Sequence, residues 1–236
     1  MEIILVGACG RMGREVARAL PPEMHVAASV DVRGPVARIG DYGGEADVIL
    51  DFSSHRAAEE VLAYAVRRHL PCVMATTGHT DAERAAIREA AEEIPLFYAE
   101  NLSLGAAFLA RVAVMAARTF PGAEIEIVEA HRAGKRDAPS GTARSLSEKL
   151  AAVTGGRVRC GRCGDGGREP GEIAVHALRL GSLVGRHTVI MAAGEELFSF
   201  SHEAADRAVF ANGAVEAVRF LVGKEAGLYG MEDMIG

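Results

Sequence analysis

The stretch Ile3-Ile4-Leu5-Val6-Gly7-Ala8-Cys9-Gly10-Arg11-Met12-Gly13-Arg14 decides the fold. Its leading apolar residues, stopped by glycine, read as a short buried strand. Arg11 to Leu20 reads as a helix, ended by Pro21-Pro22 because proline lacks the next N–H donor. Between them the glycines let the backbone approach a pyrophosphate, and the helix N-terminus offers free N–H groups and positive dipole character. The spacing is GxxGxxG, whereas the strict fingerprint has glycine where Cys9 stands. Such turns also occur as plain structure, so the placement counts for more than the glycines. Asp31 follows the next strand, Val26 to Val30, eighteen residues past Gly13. An acidic side chain there can bind the adenosine ribose hydroxyls. The reading predicts a dinucleotide site on Gly7, Ala8, Cys9, Gly10, Arg11, Met12 and Asp31. Asp31 favours NADH, since a carboxylate repels a 2′-phosphate. Arg11 and Arg33 soften that repulsion, so the expected cofactor is NADH or NADPH.

Outward from this turn, strand and helix patterns alternate. Asp47 to Phe52 reads as a strand, Ala57 to Arg68 as a helix, and Cys72 to Ala75 as a strand. Asp81 is expected to cap a helix running to about Glu93, and Leu96 to Tyr98 is a further strand. This alternation predicts a mainly parallel sheet covered by helices on both faces, with ligands at the carboxyl ends of its strands. Asp51-Phe52-Ser53 and Ala75-Thr76-Thr77-Gly78 end strands on that edge and suit ribose and nicotinamide contacts. From Leu104 the pattern changes to a helix (to Arg118), a period-two strand (Glu124 to Glu129), and a helix near Thr142 to Val153. Strand patterns follow at Ile173 to Leu180, His187 to Ala192 and Glu195 to Ser201, then a last helix from about Asp206. Gly155 to Gly171 has no apolar period and reads as a loop. The fold class is therefore α/β: a Rossmann-like doubly wound parallel sheet plus an α+β domain with an open mixed sheet.

Of the 236 residues, 49% are apolar and 25% charged, which excludes disordered and collagen-like classes. The net charge of -6 argues against a nucleic-acid partner. No apolar run reaches the roughly 18 residues of a membrane span, and Ile3 to Val6, beside acidic Glu2, is too short for an export signal. A soluble cytoplasmic protein with no membrane partner is expected. Cys9, Cys72, Cys160 and Cys163 are expected to be thiols. Cys160 and Cys163 form a lone CxxC, and a closed zinc site needs two further ligands that do not follow. A solvent loop, with no metal, is the expectation.

The densest polar segment runs Glu129-Ala130-His131-Arg132-Ala133-Gly134-Lys135-Arg136-Asp137-Ala138-Pro139-Ser140-Gly141-Thr142-Ala143. It leaves a strand and ends at a helix start, where Ser140, Gly141 and Thr142 would offer hydroxyls and backbone N–H groups to a carboxylate or phosphate. His131, Arg132, Lys135 and Arg136 add positive charge and a proton donor, which suits an anionic substrate. A solvated basic loop with an ordinary cap is the competing reading. His176, Arg179, His187 and His202 fall in or beside strand patterns, where packing or subunit contact is the commoner role.

With these segments in view, the sequence resembles the 4-hydroxy-tetrahydrodipicolinate reductase (dihydrodipicolinate reductase) family over nearly its whole length. The resemblance is carried by Gly7 to Arg14, Asp51-Phe52-Ser53, Ala75 to Gly78, Ala99-Glu100-Asn101-Leu102-Ser103-Leu104-Gly105, and Glu129-Ala130-His131 with Lys135, Asp137 and Pro139 to Ala143. Arg207 to Ala214 and Gly223 to Tyr229 are similar too. It implies a discontinuous dinucleotide-binding domain, 1–101 with 207–236, and a substrate-binding and oligomerisation domain, 102–206, in a homotetramer. It implies hydride transfer from NADH or NADPH to a small cyclic dicarboxylate, yielding tetrahydrodipicolinate for lysine biosynthesis. Catalysis would fall to His131 and Lys135, substrate binding to Arg132, Ser140, Gly141 and Thr142. Cofactor contacts would add Ala75, Thr76, Thr77, Ala99, Glu100, Asn101 and Leu102 to the glycine turn. Arg132 stands where the family usually has a second histidine; it can bind a carboxylate but cannot shuttle a proton near neutral pH. Ala75 and His55 replace a usual glycine and proline.

Two rivals remain at this level. One keeps the fold and reduces a different amino or imino acid; substrate profiling separates it. The other is a non-catalytic dinucleotide sensor, against which the His131 and Lys135 pair speaks.

Overall fold

The computed structural model describes every residue, Met1–Gly236. The chain forms two compact units, Met1–Ser103 with Ala208–Gly236, and Leu104–Arg207.

In the first unit, β1 (Glu2–Val6) leads into α1 (Arg11–Ala19) and β2 (His25–Val30). Then come β3 (Val48–Asp51), α2 (Ala58–Arg68), β4 (Cys72–Met74), α3 (Asp81–Ala90) and β5 (Pro95–Tyr98). With β11 (Gly227–Tyr229) from the C-terminal segment, the six-stranded sheet has the order β11-β5-β4-β3-β1-β2, and every pair is parallel. Strand alternation builds two apolar layers. Ile4, Val6, Ile49, Met74 and Leu96 face Val61, Leu62, Tyr64 and Ile87 of α2 and α3. Ile3, Leu5, Leu50, Val73 and Phe97 face Val16 of α1 and Ala214, Val218 and Leu221 of the helix returning near the C-terminus. A sheet buried on both faces needs near-continuous apolar strands, which is what Ile3 to Val6 and Val48 to Leu50 supply.

The second unit begins with α4 (Leu104–Thr119), β6 (Glu124–His131) and α5 (Gly141–Thr154). It continues with β7 (Arg157–Cys160), β8 (Glu172–Arg179), β9 (Gly185–Ala193) and β10 (Glu196–Ala204). Its five-stranded mixed sheet has the order β10-β9-β6-β8-β7, parallel at β6-β8-β7 and antiparallel elsewhere. Ile125 and Ile127, Ile173 and Val175, and Val189 and Met191 pack on Leu109, Ala113, Leu146 and Leu150 of the two helices. No helix is long and apolar enough to cross a membrane.

Four expectations need correction. Residues 157–160, expected within a loop, form β7, whose side chains are all exposed and carry no apolar pattern. The helix cap before Asp81 is Thr80, which makes a reciprocal capping box with Glu83. β6 extends to His131, so that histidine sits on a strand rather than a loop. The helix expected to be last, α6 (Ala208–Leu221), is followed by β11 (Gly227–Tyr229) and α7 (Met231–Met234).

The glycine turn is sterically obligatory. A Cβ at Gly13 would lie 2.3 Å from the Gly7 carbonyl oxygen and 2.8 Å from Ala8 Cα. Gly13→Ala is therefore predicted to cost at least ~2 kcal/mol, a Tm drop of about 4–8 °C. A melting curve matching wild type contradicts this packing.

Candidate active site

All strands of the first unit run the same way, so the turns after β1, β3, β4 and β5 share one edge. The order reverses between β1, whose other neighbour is β2, and β3, which is where open parallel sheets take ligands. Gly10 is the N-cap of α1, with no side chain capping it and no acidic residue in the first turn. The first-turn amides of that helix have no intrahelical acceptor, so they remain available to an anion. This donor set fits a dinucleotide pyrophosphate. Gly7 and Ala8 donate their N–H groups to the Val30 carbonyl, which pins the turn to β2. Asp31 accepts from the Cys9 N–H at 3.1 Å and the Arg33 N–H at 3.0 Å, and Arg33 Nε lies 3.7 Å away. Asp31 thus fastens the glycine turn to the end of β2. Arg11 is exposed, and Met12 and Ala8 pack partly against the core.

Farther along the edge, Asp51 is wholly buried. It accepts from Ser53 N–H at 2.9 Å, Ser53 Oγ at 2.5 Å and Thr76 Oγ1 at 2.9 Å. Burial raises its pKa, and the Ser53 and Thr76 bonds offset part of that rise. Ala75 N–H donates to the Asp51 carbonyl, Ala99 N–H to that of Met74. Thr77 is exposed, Leu102 is buried, and Asn101 Oδ1 accepts the Ser103 N–H. Glu100 accepts from Tyr98 Oη at 3.0 Å.

In the second unit the apolar register of the three central strands turns ionisable at one end. Ile125 and Ile127 are followed two by two by Glu129 and His131. Ile173 and Val175 lead to Arg179, and His187 precedes Val189 and Met191. Register sets His131 opposite Arg179 and Glu129 opposite His187. Glu129 is fully buried. It accepts from Arg179 at 3.0 and 2.8 Å, from His131 Nδ1 at 2.5 Å and from Ser140 N–H at 3.1 Å. Burial opposes its charge, yet Arg179, His131 and the Ser140 amide outweigh it and hold its pKa below the ordinary carboxylate value. A carboxylate can only accept, so Nδ1 of His131 carries the proton. A Cβ at residue 185 would lie 3.0 Å from His131 Nε2, so Gly185 leaves that nitrogen unobstructed. The His131 ring meets His187 edge to face at 5.2 Å.

Ser140 caps α5 by accepting the Ala143 N–H, and its hydroxyl lies 3.1 Å from His187 Nε2. Burial, then the nearby His131 charge, pushes the His187 pKa down to about 4. Gly141 is exposed at the first position of α5 and Thr142 half-buried at the second. Lys135 is half-buried, with Nζ 2.8 Å from Asp137. Arg179 also donates to the Asp137 carbonyl, so His131, Glu129, Arg179, Asp137 and Lys135 form one connected chain. Arg132 and Arg136 are exposed, and the Arg132 guanidinium folds back over Gly134. Glu129, Arg179 and His187 were not among the expected site residues. Their signal was the inward register: each continues an aliphatic stripe on its strand.

Cys160 and Cys163 are exposed free thiols, and no cluster of three or more potential metal ligands forms. Between them Arg162 turns inward to Glu126 and Glu172, and Arg168 also binds Glu126.

Two family models match the chain: dihydrodipicolinate reductase, N-terminus, over residues 1–102, and dihydrodipicolinate reductase, C-terminus, over residues 105–235. A 4-hydroxy-tetrahydrodipicolinate reductase of Caldanaerobacter subterraneus subsp. tengcongensis is 39% identical across all of this chain and 98% of the relative. One of Akkermansia muciniphila is 40% identical, with the same coverage. Among solved structures, a dipicolinate-bound dihydrodipicolinate reductase from Paenisporosarcina sp. TG-14 superposes with a TM-score of 0.81. It is 24% identical, over 99% of this chain and 98% of that one.

Two outcomes test the buried cluster. Arg179→Met leaves Glu129 buried without its cation and is predicted to cost ~3–5 kcal/mol in urea unfolding; wild-type stability contradicts the assignment. His187 has its folded pKa below the unfolded value, so its contribution is complete above the ordinary histidine value of 6.5 and is lost as pH falls toward about 4. His187→Gln should flatten the stability–pH curve within that window, and an unchanged slope contradicts it.

Proposed function

The chain belongs to the dihydrodipicolinate reductase family, and on that premise we propose how its residues bring about its reaction. That reaction is the reduction of 4-hydroxy-tetrahydrodipicolinate, by way of dihydrodipicolinate, to tetrahydrodipicolinate in the diaminopimelate route to lysine. The observation that carries the mechanism is the buried Glu129 holding His131 by its Nδ1–H.

A bound reduced nicotinamide supplies the hydride. Gly7 to Gly10 shape the turn, the free amides of Arg11 and Met12 at the start of α1 hold the pyrophosphate, and Asp31 meets the adenosine ribose. Ala75, Thr76, Thr77 and Ala99 to Leu102 line the nicotinamide end of the same edge. Arg33 and Arg11 moderate the charge of Asp31, so both NADH and NADPH serve. The amides at the start of α5, with Gly141, Thr142 and Ser140, grip a substrate carboxylate. Arg132 reaches the substrate as a bidentate cation and takes no part in proton transfer.

Reduction of the conjugated imine leaves an enamine-like anion on the substrate, which must be stabilised and protonated. Lys135 balances that charge, with Asp137 as its resting counter-ion. Glu129 fixes the imidazole of His131 so that Nε2 stands beside the open space at Gly185. The proton comes from the Lys135 ammonium or from Nε2–H of His131 in its imidazolium form, with Glu129 holding Nδ1–H in either case. We further propose that the protein works in the cytoplasm as a homotetramer on a small cyclic dicarboxylate, a reading supported by its family membership.

Purified protein supplied with the upstream synthase product should oxidise NADH and NADPH, with initial rates for each coenzyme giving the preference. Lys135→Ala is expected to lower turnover by roughly a hundredfold or more while NADH affinity stays unchanged. Normal turnover in that variant removes Lys135 from the mechanism.

A further inference from the structure

Asp51 is a carboxylate without solvent exposure, and its hydrogen-bond donors are all uncharged: one amide and two hydroxyls. Burying an ion without a cationic partner is costly. Closing the turn after β3 would need only the Ser53 amide bond, so the two added hydroxyls call for a reason. An ionised carboxylate accepts only, and each hydroxyl has one proton. Ser53 and Thr76 therefore direct their protons to Asp51 and keep only lone pairs for anything else. Ser53 is partly exposed and stands at the reversal point of the sheet. A Cβ on Gly7 would lie 2.8 Å from Ser53 Cα, so the serine borders the glycine turn itself.

We propose that Asp51 is a positioning residue for the coenzyme: it locks Ser53 and Thr76 as hydrogen-bond acceptors, so this edge selects a ligand group that donates. On the nicotinamide half of a dinucleotide, such groups are the carboxamide N–H and the ribose hydroxyls. The inference rests on the reading of this unit as an NAD(P)H site. Asp51 acts through the two hydroxyls and does not touch the ligand.

The test is NADH binding by coenzyme fluorescence, on the full chain, with circular dichroism and melting curves as checks of folding. Asp51→Asn offers an N–H to one of the two hydroxyls whichever way the amide sits, and that hydroxyl turns its proton outward. NADH affinity should fall about tenfold, the size of one lost hydrogen bond. The Ser53→Ala/Thr76→Val variant should lose affinity too, and adding Asp51→Asn to it should weaken binding no further, because the carboxylate then has nothing to orient. The reduced 3-acetylpyridine analogue, which lacks the carboxamide N–H, identifies the donor. Weaker binding to wild type but not to the hydroxyl-free variant assigns the carboxamide; unaltered binding assigns the ribose. Wild-type affinity in folded Asp51→Asn, or additive losses, overturns the proposal. If Asp51→Asn fails to fold, Ser53→Ala and Thr76→Val carry the test singly: weakened NADH binding in either supports it, and unaltered binding in both overturns it. Failure of wild type to bind NADH overturns the dinucleotide reading itself and the proposal with it.

Discussion

Glu129 is a negative charge placed where water does not reach, and the mixed-sheet unit is arranged around satisfying it. Arg179 comes from the neighbouring parallel strand, His131 from two residues farther along the same strand, and the Ser140 amide from the turn into α5. A lone buried carboxylate would be protonated or would unfold its surroundings. With these partners it stays ionised and fixes three elements at once. The same bonds that stabilise the charge set the tautomer and orientation of the imidazole, so stability and the proposed proton transfer rest on one group. Arg179 extends the arrangement to the Asp137 carbonyl and so to the Lys135 loop.

The dinucleotide unit answers a different constraint, the closeness of its turns. Parallel strands put every carboxyl end on one edge, and glycines let the turn after β1 lie against the backbone after β3. Carboxylates then fasten these turns from within. Asp31 ties the glycine turn to β2, and Asp51 ties the end of β3 to the Thr76 turn. Neither has a cation at hydrogen-bond distance, since the Arg33 guanidinium stays 3.7 Å from Asp31. Backbone amides and hydroxyls hold them instead, and the first-turn amides and dipole of α1 stay free to face a phosphate.

Most of this was legible from residue patterns. The apolar strands with glycine and hydroxyl turns led to the parallel sheet, and strand patterns without intervening helices led to the mixed one. What escaped has physical causes. β7 reads Arg-Val-Arg-Cys with every residue exposed, so it has no buried face to reveal it; pairing with β8 makes it a strand. β11 is three residues long and exists by pairing with the edge of β5, a tertiary effect. Glu129, Arg179 and His187 sit at inward positions where an aliphatic residue is the norm. Period two locates those positions, but only the register of three strands separated in sequence shows that their side chains meet. The loop cations were visible at once, yet Arg132 and Arg136 prove to be exposed while the ordering charge lies beneath them.

The charge of Glu129 orders the whole cluster, and Glu129→Gln isolates it because the shape is kept and only the carboxylate is lost. The measurement is steady-state turnover on the cyclic dicarboxylate across pH, with NADH affinity measured alongside. Turnover should fall by roughly a hundredfold with a displaced pH profile, while NADH binds as in wild type. Wild-type turnover and an unshifted profile in a folded variant would contradict it.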